Sequence, residues 1–298
     1  MTSSPKILVA AVVVAVTGVG CASSVADQQA ARPTVVATSI AATAPTATTA
    51  ATITTPIISP STTTPRPAWL GSRTLPTDSD GFGVATETPA ELADRRFATV
   101  DTLPPPPDDD FHATVQTLSL VPDALARSTW VEGCPVPPEE LAYLTVSFIG
   151  FDGLDHTGEI IVAAPAADDI VSVFERLHAA RFPIEEMRVV TEVDLDAPPT
   201  GDGNNTGAFV CRPVTGGTAF SEHAKGLAVD INPFHNPYVR GDRVLPEQAV
   251  VYTDRTLDRP GMIHPGDVVV EAFSAIGWTW GGDWTSLKDH QHFSATGR

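Results

Sequence analysis

The sequence predicts an α+β fold, a small antiparallel sheet with helices packed on it, preceded by a long disordered linker. Three observations carry this. Runs of β-branched and aromatic residues come in pairs joined by turn residues, the signature of a hairpin. Two segments place apolar residues at helical spacing. The two kinds of element do not alternate strictly, which disfavours a doubly wound parallel sheet.

The elements follow in chain order. Residues 89–97 (PAELADRRF) suit a short helix. Residues 141–149 (LAYLTVSFI) read as a strand, and Gly150 to Gly153 supply a turn. Residues 157–163 (TGEIIVA) read as the returning strand. Asp168 or Asp169 can cap a helix whose apolar face is Ile170, Val173, Phe174 and Leu177, and Pro183 ends it. Residues 187–193 (MRVVTEV) predict a third strand, and residues 194–207 a polar loop. Residues 227–231 (LAVDI) predict a fourth strand. Residues 267–276 look helical, with Gly277 as the stop. Residues 278–280 and 291–293 predict short final strands.

The chain has 298 residues, with 36 Asp+Glu against 18 Lys+Arg and a formal net charge of −18. Nucleic-acid binding needs clustered cations to neutralise phosphates, so this balance argues against it. It argues equally against docking on anionic lipid headgroups. The 27 prolines are unevenly spread. Residues 30–67 are mostly Ala, Thr, Pro and Ser, too poor in large apolar groups to offset the entropy of ordering. Such a stretch serves as an extended spacer. The linker is read as residues 22–110, and the globular domain is expected to start near Phe111 and run to the end.

Residues 1–21 have the layout of an export signal: Lys6, then the apolar run from Ile7 to Val16, then small residues. The run is short for a membrane span, which takes about 20 residues; an uncleaved anchor stays open as the other reading. Cys21 after Gly20 resembles the lipobox of bacterial lipoproteins, although Gly18 stands where that pattern has an aliphatic residue. Lipidation of Cys21 and plain cleavage near Ala22 both put the remainder outside the cytoplasm. If Cys21 is used in this way, Cys134 and Cys211 remain, and in an exported domain they form a natural disulfide pair. Closing so long a loop is worth about 4 kcal/mol on the chain-entropy account. A Cys metal ligand is the competing reading, but no CxxC spacing supports it.

Chemistry concentrates in two segments. Residues 221–232 (SEHAKGLAVDIN) hold His223 and Asp230 seven apart, with Gly226 allowing a tight path between them. Near the end, GGDWTSLKDHQHFS holds Asp289 and His292 three apart. Two His and one carboxylate with an open fourth position is the arrangement of a catalytic zinc.

The pattern SxHxxGxAxD followed by a carboxylate-x-x-His resembles the zinc peptidases of bacterial cell walls. These comprise D-alanyl-D-alanine carboxypeptidases, vancomycin-resistance dipeptidases and phage L-alanyl-D-glutamate endopeptidases. Ser221, His223, Gly226, Ala228 and Asp230 fit the first motif, and Asp289 with His292 the second. The resemblance extends from about Gly133 to the end. It implies a hedgehog/DD-peptidase-like fold, His223, Asp230 and His292 as zinc ligands, and Asp289 as general base. Many members have Glu at the base position, so Asp289 resembles the endopeptidase branch. The family places an arginine upstream of the first motif, which gives Arg212 a role in polarising the scissile carbonyl or binding a substrate carboxylate. Peptidoglycan stem peptides are the implied substrate, and a monomer is expected.

Other candidates read as structural. On one strand His290 and His292 would share a face; the family motif has Phe directly after its ligand, so the resemblance, through Phe293, implies His292. His235 and His264 are expected to be exposed loop residues; His112, His156 and His178 have no partner at ligand spacing. Trp278, Trp280 and Trp284 read as core and cleft wall rather than a sugar platform. Ser221 lacks a GxSxG setting and reads as a polar support. Two other function classes stay open at this point: a non-catalytic cell-wall-binding module that keeps zinc, and a zinc amidase.

Overall fold

The computed structural model describes residues 63–214 and 217–297. The chain divides after Thr55 into two units, and every described residue lies in the second. The export signal, Cys21 and the spacer up to residue 62 lie outside the described residues. Among the described residues, no helix is long and apolar enough to cross a membrane.

The folded unit begins well before Phe111. Residues 63–110 were expected to belong to the spacer, yet they form a strap laid along the domain. Its one short helix is α1 (Ala90–Ala93). Leu92 and Phe97 of the strap are fully buried with Phe234, Ala249, Tyr252 and Met262. The proline and acid content around these two residues hides them in the sequence.

A three-stranded antiparallel sheet follows: β1 (Ala113–Thr117), then α2 (Pro122–Arg127), β2 (Leu141–Ile149) and β3 (Asp155–Ala163), with β2 in the centre. β2 is apolar on both faces because both are covered. Ala142, Leu144, Val146 and Phe148 point into the main core, while Leu141 and Tyr143 point into a second cluster with Leu118, Val189 and Phe209. α3 (Ala167–Ala179) lies on the main core through Ile170, Val173, Phe174 and Leu177, the face its spacing predicts.

Next come β4 (Glu186–Met187), α4 (Glu192–Asp196) and β5 (Asn205–Thr206), with β4 and β5 pairing in parallel. The predicted strand at 187–193 is therefore mostly absent. Thr191 instead caps α4: its hydroxyl accepts from the Asp194 N–H, and the Asp194 carboxylate accepts from the Thr191 N–H. This reciprocal cap outweighs the β propensity of Val189, Val190 and Val193.

The C-terminal half adds β6 (Ala228–Asp230), β7 (Tyr238–Arg240), β8 (Arg243–Leu245), α5 (Val268–Ala275), β9 (Thr279–Trp280), β10 (Lys288–Asp289) and β11 (His292–Ser294). These strands build two further antiparallel sheets, ordered β6-β11-β9 and β10-β7-β8. α5 starts where Asp267 accepts from the Val269 and Val270 N–H groups, and packs on the main core through Val269, Ala272 and Phe273. Trp278 and Trp280 are core residues.

The strap is anchored by a buried charge network. The Arg95 guanidinium donates to both Glu185 oxygens, at 2.7 and 2.8 Å, and to the Asp202 carbonyl at 2.7 Å. Asn204 donates to Glu185 at 2.8 Å and reaches His235 Nδ1 at 3.1 Å. His235 Nε2 lies 2.9 Å from the Arg95 carbonyl, so Nε2 carries the proton of a neutral ring. His235 was expected on the surface; it is fully buried, stacked on Phe151. Burial alone would raise the Glu185 carboxyl, but Arg95 overrides it and holds the group below its ordinary value. Burial drives His235 down to about 4, the Glu185 charge offsetting only part of this.

Two predictions follow from the network. Arg95→Ala leaves the buried Glu185 with only the partly exposed Arg66, 3.5 Å away, and is expected to destabilise the fold by about 3–5 kcal/mol, measured by urea unfolding. Both Glu185 and His235 have depressed folded-state values, so their contributions are present at neutral pH and lost with acid. Stability should fall from about pH 6.5, where an unfolded histidine begins to protonate, down to about 4, with Glu185 adding its loss below the usual carboxylate range. Denaturant titrations at stepped pH check the slope, and His235→Gln should flatten its upper part.

Candidate metal centre

The site is built on the pairing of β6 with β11. His292 is the register partner of Asp230, so the two side chains sit opposite each other on neighbouring strands. His223 arrives from the short 3-10 turn Glu222–Lys225 just before β6. Ser221 starts that turn, its hydroxyl accepting from the His223 N–H at 3.3 Å. Gly226 ends it with φ +69°, and a Cβ there would lie 2.3 Å from the Ala163 nitrogen. Only glycine lets the turn pass so close to β3, whose Ala163 N–H donates to the Gly226 carbonyl at 2.9 Å.

The donor atoms converge. His223 Nε2 and His292 Nδ1 are 3.2 Å apart. Asp230 lies 2.9 Å from His292 Nδ1 and 3.3 Å from His223 Nε2. Within this group one ligand atom from each residue lies within 4.8 Å of the others, close enough for one ion. His223 Nδ1 is 2.6 Å from the Ala208 carbonyl and donates to it, which leaves the Nε2 lone pair facing the cluster. Burial works against an ionised Asp230, but the two histidines hold it far below the usual carboxylate range. Two imidazole nitrogens and an ionised carboxylate, partly buried beside a cleft, suit a divalent cation.

Asp289 stands beside this group on β10, opposite Tyr238 of β7. Burial and the Asp230 charge push its carboxyl up to about 7, with His292 and Arg212 pulling the other way. Its Oδ1 is shielded and has no hydrogen-bond partner. The residue is thus poised to exchange a proton near neutrality. Gly281 makes the approach possible. A Cβ there would meet the Asp289 carbonyl at 2.6 Å, the Asp289 Cβ at 2.9 Å and the His292 Cβ at 3.3 Å. This glycine was not singled out from the sequence; the Gly281-Gly282 pair between two tryptophans was its signal.

Arg212 lies close enough to bias the Asp289 charge and, with Asp289, His223, Asp230 and His292, lines a cleft of about 780 Å³. Its neighbour Cys211 is joined to Cys134, the pair expected from the cysteine count. Trp284 forms the cleft wall, its ring centroid 5.4 Å from that of His292.

His290 is not a second strand position alongside His292. β10 ends at Asp289 and residues 290–291 form a turn, so the expected shared face does not exist. His290 packs on Trp280, where burial lowers it to about 4. His112, His156 and His178 each face aspartates: Asp108, Asp101 with Asp152, and Asp155. His264 is half-buried rather than exposed.

Asp230→Ala or His292→Ala is expected to remove most bound divalent metal, whereas His290→Ala should retain it; elemental analysis of the purified proteins decides. Gly281→Ala overpacks the floor beneath Asp289 and His292. It should cost about 1–3 kcal/mol in denaturant unfolding and weaken metal retention.

No curated protein and no solved structure matches the chain. A family model described as D-alanyl-D-alanine carboxypeptidase matches residues 215–295. That span contains His223, Asp230, Asp289 and His292, so the similarity falls on the segment that carries the candidate centre.

Proposed function

We propose that the protein is an exported zinc metallopeptidase that hydrolyses peptide bonds in peptidoglycan stem peptides, on a fold of the hedgehog/DD-peptidase type. The observation that carries this reading is the meeting of three metal-donor side chains with Asp289 at one cleft. Zinc suits the donor set, and His223, Asp230 and His292 would hold it. When bound, it would supply Lewis-acid chemistry at the scissile carbonyl and its attacking water.

The rest of the reaction falls to the chain's own residues. Asp289, raised to about 7, takes the proton of the attacking water and returns it to the leaving amine. Arg212 is assigned to the developing negative charge on the carbonyl oxygen or to a substrate carboxylate. Trp284 and the buried ligands keep the reacting centre partly dry, which strengthens these charge interactions. A non-catalytic wall-binding module would have no use for a shielded carboxyl titrating near neutrality. The apolar N-terminal run supports export, and the Cys134–Cys211 disulfide suits an oxidising compartment. Tethering through lipid on Cys21 or through an uncleaved anchor is part of the same proposal.

Asp289→Asn keeps the shape but cannot accept the proton. Turnover on muropeptides should fall by roughly 10²–10⁴-fold while zinc content stays near wild type. Full activity in this variant would move the base elsewhere, and loss of zinc with activity would make Asp289 a ligand. Mass spectrometry of muropeptides digested by the zinc-loaded protein separates a carboxypeptidase cut at D-Ala-D-Ala from an endopeptidase cut at L-Ala-D-Glu. Products cut between sugar and peptide would instead identify an amidase.

A further inference from the structure

The sheet β10-β7-β8 forms one side of the cleft, and its cross-strand rows are fixed by register. Asp289 pairs with Tyr238, and Tyr238 pairs with Leu245. All three line the cleft, so this row faces it. Alternate residues of a strand share a face. Arg240, two positions after Tyr238, also lines the cleft, and its register partner is Arg243.

The two arginines differ in what they hold. Arg243 donates to Asp78 at 3.2 Å and to Asp80 at 3.0 Å, and its guanidinium lies 3.8 Å over the Phe82 ring. Strap residues thus consume that charge. Lys225, another cleft cation, is tied to Glu222 at 2.6 Å. Arg240 is exposed, and among the described residues its side chain has no hydrogen bond or ion pair. An uncommitted guanidinium lining the cleft is free to take an anionic partner from outside. A planar fork of donors matches a carboxylate.

We propose that Arg240 is a specificity-determining residue that binds a free carboxylate of the substrate, set back from the bond that is cut. The inference rests on the peptidase reading above and deepens it: the substrate class becomes peptides with an acidic group near the cleavage point. The row of Arg240 lies about 7 Å along β7 from the row of Asp289, a span of about two extended residues. The carboxylate is therefore distinct from the reacting carbonyl. Arg212, next to Asp289, is left to serve the reacting centre.

The test compares two synthetic stem peptides with the zinc-loaded full chain. They are identical except that the acidic groups flanking the cleavage point are free carboxylates in one and carboxamides in the other. The wild type is expected to favour the free acid by about 10- to 100-fold in kcat/KM, mostly through KM, as one charge-assisted contact implies. Arg240→Gln should collapse that ratio toward one, and Arg240→Lys should keep part of it. A ratio that persists in Arg240→Gln overturns the assignment, as does a wild type that cuts both peptides equally well. A wild type that cuts neither overturns the peptidase reading, and this assignment with it.

Discussion

The centre depends on one backbone constraint, the antiparallel register that sets His292 against Asp230. The Phe293↔Val229 and Ser294↔Ala228 pairs extend the same ladder, and all four of these residues are fully buried. A slip of β11 by one residue would turn His292 to the face opposite Asp230. The core therefore enforces the site: Phe293 cannot leave its stack on Phe273, at 4.1 Å between ring centroids, without moving His292. The third donor needs no long-range pairing of its own, because the turn that presents His223 runs straight into β6.

Charge is handled in two separate ways in this fold. In the network under the strap, every buried group is matched: Arg95 and Asn204 satisfy Glu185, and His235 is kept neutral between an amide and a carbonyl. At the cleft the matching is left incomplete. The Asp289 oxygen is buried without a partner, a costly arrangement, while two histidines turn toward the one carboxylate of Asp230. The contrast with the matched network under the strap marks the cleft as the place where a perturbed carboxyl and metal-donor groups meet.

Much of this arrangement could be read from the residues, and the exceptions have physical causes. The hairpin of β2 and β3, the buried face of α3 and the start of α5 follow local patterns that nothing overrides. His223, Asp230, His292 and Asp289 stand out because their spacing is chemical as well as structural. The strand expected after Met187 failed because a side-chain cap at Thr191 competes with strand pairing. His235 was misread because a loop rich in proline and asparagine looks solvated. Asn232 and Asn236 instead tie that loop inward through bonds to the Pro183, Ile231 and Gly261 carbonyls. The strap escaped notice for a related reason: its attachment is spread over Leu92, Phe97, Arg95 and scattered polar contacts such as Asp78 and Asp80 to Arg243, which create no periodicity.

The attachment of the strap also orders events in time. Arg95 is made early in synthesis, but its partners lie far downstream: Glu185 is 90 positions away, and the Tyr252 hydroxyl that accepts from the Arg95 N–H is 157 positions away. Contacts of such separation form late, after the loop-closure entropy between them has been met. Until Phe234 and Tyr252 exist, Leu92 and Phe97 have only Trp69 and Leu70 of their cluster beside them. A nascent chain therefore carries this adhesive segment partly uncovered for about half of its synthesis. The tract of four prolines and three aspartates at residues 104–110, directly after it, is stiff and charged enough to resist collapse onto the wrong surface in the meantime.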